Sequence, residues 1–301
     1  MKILFRPADT LTIAFSLFLF ALTLFFSGKI PHAGMLLLIY ASVVLFQSML
    51  VPLSRMNSFL SLTRDIIFPV ISVLVIFDSL GPVVHSVNPQ DMDYLLIRLD
   101  YLIFGGYPTI FMEKVMHPLL TDILQLAYST YYFLPVALGI VLKFGDKKAA
   151  FEKALFLILL CFYLSYVGYI LVPALGPRYA MEHLQEKELG GFLVSKPVQD
   201  LLNLLEGVKR DAFPSGHTGI ALTVLFLSYR YARNLFRWIA IPVLLLIVAT
   251  VYCRYHYAVD VIGGVLLTVV TIASGELYYK FRERKNGHPL FQGKGWYNYR
   301  S

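Results

Sequence analysis

The sequence carries little charge for its length. Asp, Glu, Lys and Arg make up 15% of its 301 residues, while 57% are apolar and the mean hydropathy is +0.66. A soluble globular domain has about 25% charged and about 45–50% apolar residues, so the composition excludes an ordinary soluble domain. It indicates an integral membrane protein instead.

Cysteine is scarce as well, since the chain has only Cys161 and Cys253. We therefore expect neither a disulfide framework nor a cysteine metal site. The first apolar stretch is not followed by an Ala-x-Ala cleavage signal, so we expect it to remain as an anchor rather than to be removed as a signal peptide. No internal repeat, low-complexity linker or soluble domain is evident in the sequence.

Long apolar runs are abundant. Eight stretches approach the roughly 20 residues that a membrane-spanning helix needs, at about 10–27, 35–53, 65–85, 118–143, 151–173, 217–232, 236–253 and 259–280. We predict an all-α integral membrane protein, a bundle of about eight transmembrane helices with a six-helix core and an outer interfacial helix. Its predicted parts are three N-terminal transmembrane helices (1–85), an outer interfacial segment (86–117) with amphipathic spacing, a core (118–285) and a cytoplasmic tail (286–301).

Basic residues are concentrated at alternate connections between these stretches, namely Lys2, Arg6, Arg55, Arg64, Lys143, Lys147, Lys148, Lys153, Arg230, Arg233 and Arg237. The positive-inside rule then predicts cytoplasmic termini and outward-facing loops at 28–34, 86–117, 174–216 and 254–258. The net charge of +7 is explained by this topology and by attraction to anionic lipid headgroups. We expect membrane lipids as partners, no nucleic acid, and a location in the plasma (inner) membrane.

Two histidine segments fall on the predicted outer side, Pro214-Ser215-Gly216-His217 and His256 followed by Asp260. On a helix, residues four apart share a face, so Asp260 can accept a proton from one ring nitrogen of His256 and leave the other as a nucleophile. An acid at the start of an apolar stretch also favours a functional partner. The alternative is a solvated or capping histidine, which we expect for His32, His85, His117, His183 and His288.

Several residues near these histidines are candidates for binding a phosphate. Arg178 follows Pro177 at the end of a predicted span, and its guanidinium can donate two hydrogen bonds to one anion. Ser215 can cap the helix that begins at Gly216, whose amide then faces a ligand, and the cations Lys209 and Arg210 lie just upstream. Arg254 would point roughly 200° away from His256 on a helix, but in a loop it can reach the phosphate. Snorkelling to lipid headgroups is the alternative.

These residues resemble the type 2 phosphatidic acid phosphatase superfamily over roughly 118–281. The likeness rests on Pro214-Ser215-Gly216-His217, on His256-x3-Asp260 and on the two glycines that follow. Two family cations are replaced, by Leu171 and Thr250. The pattern around Leu99-Asp100-Tyr101 and Gly176-Pro177-Arg178-Tyr179 is similar to the inositol phosphorylceramide synthase-like (inositolphosphotransferase) branch.

The resemblance implies a phosphatase-like core and a two-step mechanism. His256 would attack phosphorus, Asp260 would orient it, and His217 would protonate the leaving alcohol and later deprotonate the acceptor. Arg178, Ser215 and Gly216 would hold the phosphate. No metal and no organic cofactor is implied, because phosphoryl transfer needs mainly positioning and charge stabilisation.

Three functions are consistent with this pattern. The first is a lipid-phosphate phosphatase that works through phosphohistidine at the extracytoplasmic face. The second is a phosphotransferase that moves a phosphoryl or polyol-phosphoryl headgroup from a phospholipid to a lipid or sugar hydroxyl. The third is a non-catalytic membrane protein that retains the motif. The sequence alone does not separate hydrolysis from transfer, nor does it indicate an oligomeric state.

Overall fold

A computed structural model describes residues 5–205 and 208–286, so the predicted tail beyond residue 286 lies outside it. Within these ranges the chain forms helices and turns and no strand, as the all-α prediction requires. The α-helices are α1 (Pro7–Phe25), α2 (Ala33–Leu53), α3 (Ser58–Leu62), α4 (Phe68–Val87), α5 (Asp93–Phe104), α6 (Pro108–Phe111), α7 (Pro118–Ser129), α8 (Leu134–Phe144), α9 (Lys148–Leu171), α10 (Pro177–Ala180), α11 (Ser195–Leu205), α12 (Gly216–Tyr231), α13 (Arg233–Tyr252) and α14 (Ala258–Asn286). A π-helical turn, Thr63–Ile67, joins α3 to α4.

Six of the described helices are long and apolar enough to cross a membrane, and two bent helix pairs raise the number to eight if each is one span. The predicted stretch 217–232 forms α12, which has 16 residues and is shorter than each of these six helices. The predicted span 118–143 is a pair, α7 and α8, bent by 48°. A 3₁₀ turn at Thr130–Tyr132 and Pro135 separate the two helices, because proline cannot donate the amide hydrogen bond that would continue α7.

The outer segment also differs from the single amphipathic helix predicted for it. It forms α5 and then α6 with a 3₁₀ turn, and the two parts are bent by 66°. The bend lies at Gly105, which has a φ of +69°, a conformation that glycine adopts without the steric cost of a side chain. Pro108 then starts α6.

Helix α9 is the centre of the bundle and packs against α1, α4, α8, α12 and α14. Apolar side chains are buried around most of its circumference, as expected for a helix enclosed by others. Tyr163 of α9 stacks on Phe15 of α1 with ring centroids 4.4 Å apart. The helix runs between two different ends of the bundle, and each end has its own polar cluster.

The first polar cluster lies near the start of α9 and joins α1, the π-helical turn and α8. Arg6 pairs with Asp9 and Asp65, Arg64 pairs with Asp9, and Lys143 pairs with Asp65. These charges are largely shielded from solvent and are mutually compensated, as partly buried ions must be. This ionic cluster closes one end of the bundle, and the histidines lie beyond the other end of α9.

Candidate active site

The two motif histidines lie side by side. His217 occupies the first turn of α12, and His256 lies in the turn before α14. Nε2 of His256 is 3.4 Å from Nδ1 of His217, and the hydroxyl of Tyr128 is 3.3 Å from the same Nδ1. Both imidazoles are buried. Residues 39 positions apart in sequence thus form one site.

The orientation of His256 depends on two groups. Its Nδ1 lies 2.8 Å from the carbonyl oxygen of Ala212 and 3.5 Å from Oδ2 of Asp260. A carbonyl oxygen can only accept a hydrogen bond, so Nδ1 carries the proton and donates a hydrogen bond to Ala212. The Asp260 carboxylate is the second acceptor beside the same nitrogen. The nitrogen that faces His217, Nε2, therefore keeps its lone pair.

Asp260 contacts His256 in a different way from the one expected. Helix α14 begins at Ala258, so His256 precedes the helix and the two residues do not share a helical face. Asp260 instead lies in the first turn, where its Oδ2 accepts the amide hydrogen of Tyr257 at 2.8 Å. This is the carboxylate half of a capping box, and it brings the buried acid beside the imidazole.

Tyrosine rings enclose His217, a feature that the sequence analysis missed. The centroids of Tyr128 and Tyr131 lie 4.4 Å and 4.1 Å from that of His217, and Tyr255 stacks on Tyr128 at 4.3 Å. Nε2 of His217 is buried and makes no hydrogen bond to any of the residues that the structure describes. The rings therefore hold the imidazole by packing and leave that nitrogen unused by the protein. Two tyrosines three residues apart at the end of α7 were the available signal.

A cavity of about 300 Å³ opens onto both histidines. The cations Arg178 and Lys209 line it, together with Asp211, Tyr128 and Tyr255. A small cavity with two imidazoles and two cations suits an anion of phosphate size. The structure thus places Arg178 and Lys209 where the sequence analysis expected a phosphate.

Backbone geometry explains how Arg178 reaches this cavity. Gly176 has a φ of +86°, and a Cβ at this position would lie 2.7 Å from the carbonyl oxygen of Tyr255. Only glycine allows both the left-handed conformation and the close approach. The amide of Arg178 then donates to the carbonyl of Arg254 at 2.9 Å, which joins the Arg178 turn to the turn that carries His256.

Arg210 and Arg254 do not appear among the described residues that line the histidine cavity. The guanidinium of Arg210 is paired with Asp91, with one hydrogen bond of 3.0 Å. That of Arg254 is paired with Glu113 at 2.7 Å and bonded to Gln185 at 2.9 Å. The sequence predicts that both cations bind a phosphate, but the structure places each of them in an ion pair instead.

The backbone explains the position of Arg254. Helix α13 ends in a Schellman motif, in which the amide of Tyr255 donates to Thr250 and that of Arg254 to Val251. Arg254 takes the left-handed position of this motif, with a φ of 63°. The chain is therefore a turn there, as one of the two interpretations required, but the side chain is directed to Glu113 of the outer segment.

Breaking this ion pair gives a test of its structural role. Both side chains are only 7% exposed, so Arg254→Met leaves the Glu113 carboxylate buried without its partner. We expect the free energy of unfolding to fall by about 3–5 kcal/mol, measured by chemical or thermal unfolding in detergent. The double variant Glu113→Leu with Arg254→Met should recover part of the loss. Equal stability of the single variant and the wild type would contradict the pairing.

Acids of the outer segment hold the loops that carry the site. Asp93 accepts the amides of Leu175 and Gly176, each at 2.9 Å, and the hydroxyl of Tyr257 at 2.7 Å. Asp100 accepts the amides of Ala258 and Val259 at 3.1 Å and 2.7 Å. The sequence predicts an amphipathic segment here and indicates no partners for its acids. In the structure they cap backbone amides around the histidines.

The remaining predicted residues have mainly structural contacts. The Ser215 side chain accepts the amide of Thr218 at 3.3 Å and so caps α12, as predicted, while its own amide donates to the Asp260 carbonyl at 3.0 Å. Gly216 lies against the hydroxyl of Tyr169. The two positions where family cations are missing are not cavity positions, since Leu171 is 64% exposed and the buried Thr250 hydroxyl donates to the Ile247 carbonyl.

Comparisons with known proteins agree with this geometry. A family model described as the PAP2 superfamily matches residues 95–274, which include the two histidine segments and Arg178. A PA-phosphatase related-family protein from Dictyostelium discoideum is 24% identical, over 62% of this chain and 40% of its own length. The chain thus spans less than half of that relative. No solved structure matches the chain significantly. Since the family match covers more than half of the sequence, the chain belongs to the PAP2 superfamily.

Proposed function

We propose that the protein is a membrane-embedded lipid-phosphate phosphatase that acts through a phosphohistidine intermediate. The observation that carries this proposal is the pair of histidines whose facing nitrogens are 3.4 Å apart, with Nδ1 of His256 held by Ala212 and Asp260. This arrangement leaves one nitrogen as a nucleophile and places a second imidazole beside it for proton transfer. Membership of the PAP2 superfamily supports the same activity.

The reaction has two steps. First, Nε2 of neutral His256 forms a bond to phosphorus while the bond between phosphorus and the lipid oxygen breaks, and His217, which enters the step as an imidazolium, gives a proton to that oxygen and becomes neutral. Second, His217 takes a proton from water, whose oxygen attacks phosphorus and breaks the bond to His256. Inorganic phosphate leaves, and both imidazoles return to their original protonation states.

Substrate binding requires a local change between the two rings. Phosphorus cannot lie between nitrogens that are 3.4 Å apart, so the phosphate must replace this hydrogen bond. Arg178 and Lys209 face the same cavity and supply the positive charge that stabilises the transition state. Ala212 and Asp260 keep their hold on the opposite side of His256 during the change.

We also propose that the site faces outward and that both termini are cytoplasmic. The basic connection that contains Lys143, Lys147 and Lys148 lies at the start of α9, and the site lies beyond its end at Leu171. The positive-inside rule assigns the basic end to the cytoplasm. On this proposal the reaction takes place at the extracytoplasmic face of the plasma membrane.

One observation favours the second candidate, a phosphotransferase of the inositol phosphorylceramide synthase-like kind. A polar cavity of about 490 Å³ adjoins the histidine cavity and shares Arg178, Tyr179 and Tyr255 with it. Its wall includes Gln185 and several acids, which are groups that bind hydroxyls. A polyol or sugar bound there would lie beside Arg178 and compete with water for the phosphohistidine.

A labelled substrate distinguishes the candidates. The purified protein is given a lipid phosphate labelled at phosphorus, or a phospholipid labelled in the headgroup phosphate, with and without ceramide, diacylglycerol or inositol. Release of labelled inorganic phosphate, unaffected by acceptors, is the expected result. A labelled phosphodiester that depends on one acceptor would replace the phosphatase assignment with transfer. Absence of both products with every donor would favour the non-catalytic alternative.

The carboxyl of Asp211 leads us to predict that kcat/KM depends on pH. It lies in the wall of the histidine cavity, where burial raises its pKa to about 6 while nearby His256 limits the rise. The carboxyl is therefore neutral below about pH 6 and anionic above, where it repels a phosphate in the same cavity. His217, His256, Arg178, Lys209 and the tyrosines of the site face it in both states.

We therefore compare the wild type with Asp211→Asn across this pH range. The kcat/KM of the wild type for a lipid phosphate, divided by that of Asp211→Asn, should fall by about 10-fold as the pH rises through 6. This is the scale expected for repulsion between two charges in one cavity. Taking the ratio cancels the titration of the substrate. A ratio that does not change between pH 5 and 7.5 would show that Asp211 does not act on the bound phosphate.

A further inference from the structure

A second, apolar cavity begins at the histidines and runs along α9. Its volume is about 220 Å³, and it lies on α9 between α4 and α8. Asp211 and His217 line both this cavity and the histidine cavity, so the two adjoin at these residues. Apart from the residues at its two ends, the wall is made of aliphatic and aromatic side chains such as Val73, Phe77 and Ile158.

The cavity is long and narrow. The residues of α9 that line it extend from Phe151 to Tyr169, which is 18 residues or about 27 Å at 1.5 Å per residue. The hydrocarbon core of a bilayer is about 30 Å thick, so one leaflet is about 15 Å deep. A volume of about 220 Å³ drawn out over this length leaves room for one hydrocarbon chain and not for two.

We infer that this slot binds one tail of the substrate, and that the substrate is a lipid phosphate with a single extended chain longer than one leaflet. The inference deepens the proposed function and rests on it, because the phosphate at His256 fixes where the tail begins. A tail that moves from the bilayer into the slot exchanges one apolar environment for another, so its binding depends on close packing against the wall and not on leaving water. Between the two ends of the slot, the only hydrogen-bond donors among the described lining side chains are tyrosine hydroxyls.

Helix α4 provides one wall of the slot, and it precedes the residues that the family model matches, 95–274. Ile66, Pro69, Val70, Val73, Leu74 and Phe77 of the π-helical turn and α4 line the cavity. Val70 and Leu74 are also exposed on the membrane side, so a tail can enter sideways from the bilayer between α4 and α8. The N-terminal helices thus have a role in selecting the substrate tail.

The far end of the slot is closed by the ionic cluster. Asp65 lines the cavity there and is paired with Arg6 and Lys143. These partners compensate the charge of Asp65, and the ion pairs make this end of the slot polar. A hydrocarbon chain that extended past Asp65 would have to displace these ion pairs without making any favourable contact. The cluster therefore sets the longest tail that the slot accommodates.

Two valines of α4 provide a matched pair of variants. Val70 and Val75 are each 37% exposed, but only Val70 is among the described residues that line the slot. Val70→Trp fills the slot, and Val75→Trp places the same side chain towards the lipid. A second variant, Gly139→Leu, fills the slot from α8, where a Cβ would contact only the ring of Phe151, at 3.9 Å.

The assay uses three phosphate monoesters: a water-soluble short-chain alkyl phosphate, a polyprenyl phosphate whose chain exceeds one leaflet, and phosphatidate. We expect Val70→Trp and Gly139→Leu to lower kcat/KM for the polyprenyl phosphate by about 10-fold or more, the scale for a misfit in a hydrophobic pocket. Both variants should hydrolyse the short-chain phosphate as the wild type does. Val75→Trp should match the wild type with all three substrates.

Each contrary outcome identifies what has failed. A wild type that prefers phosphatidate to the polyprenyl phosphate would overturn the single-chain assignment. Equal losses on short and long substrates, or equal losses in Val70→Trp and Val75→Trp, would overturn the slot as a tail site. A wild type that hydrolyses none of the three would overturn the phosphatase itself, which is a different result from either.

Discussion

His256→Ala should lower the turnover of a lipid phosphate by about 10³-fold or more, because it removes the nitrogen that bonds to phosphorus. The alanine also removes the donor to Ala212 and the neighbour of Asp260, but the capping contact between Asp260 and Tyr257 remains. We therefore expect the helices to stay in place. The measurement is phosphate release by protein that elutes and unfolds like the wild type.

Trapping the intermediate gives a more direct measurement. With substrate labelled at phosphorus, a rapid quench in base should recover label on the wild-type protein, because a phosphohistidine resists base and is lost in acid. His256→Ala should carry no label. His183→Ala is the matched control, since His183 is an exposed histidine in the 3₁₀ turn after α10 and should retain both label and turnover. Label that persists in His256→Ala would assign the nucleophile to another residue.

Much of the fold follows from composition and from the length of apolar runs. Each of the eight predicted stretches contains a helix, because backbone groups in a bilayer must satisfy one another within one segment. The two bent pairs were less predictable. The 48° bend after α7 occurs at a 3₁₀ turn, and the 66° bend after α5 occurs at a glycine. The length of an apolar run does not predict either bend.

The histidine pair was predictable for a different reason. Topology alone places His217 and His256 on one side, and the spacing to Asp260 indicates a carboxylate nearby. The details depend on where a helix begins. Because α14 starts at Ala258, the acid caps a turn and the carbonyl of Ala212 holds the imidazole, a contact that no residue identity reveals.

The two outer arginines show the same limit more clearly. Arg178 and Arg254 are both cations beside a motif, so the sequence treats them alike. In the structure one lines the histidine cavity, and the other is held by Glu113, which lies 141 positions away in the chain. Only the three-dimensional position of the outer segment separates a cation that lines the histidine cavity from one that forms a structural ion pair.

The position of Arg178 in the wall of the histidine cavity leads to the second large expected effect. Arg178→Ala should lower kcat/KM for a lipid phosphate by about 10²- to 10³-fold, the loss typical of removing one donor that stabilises a transition state. Arg178→Lys keeps the charge but loses the planar fork that binds two oxygens at once, so its loss should be about 10-fold. Lys209→Ala removes an exposed cation from the rim of the same cavity and should cost less than Arg178→Ala.

Inhibition by vanadate, which resembles a pentacoordinate phosphorus, tests whether Arg178 acts on the phosphoryl group itself. Its inhibition constant should rise with the loss in kcat/KM across Arg178→Lys and Arg178→Ala, since both report binding of the same geometry. The backbone amide of Arg178 still donates to Arg254 in each variant, so the turn that carries His256 is retained. Unchanged vanadate inhibition in Arg178→Ala would mean that the guanidinium positions the loop and does not bind phosphate, and the site would then depend on Lys209 and the two imidazoles.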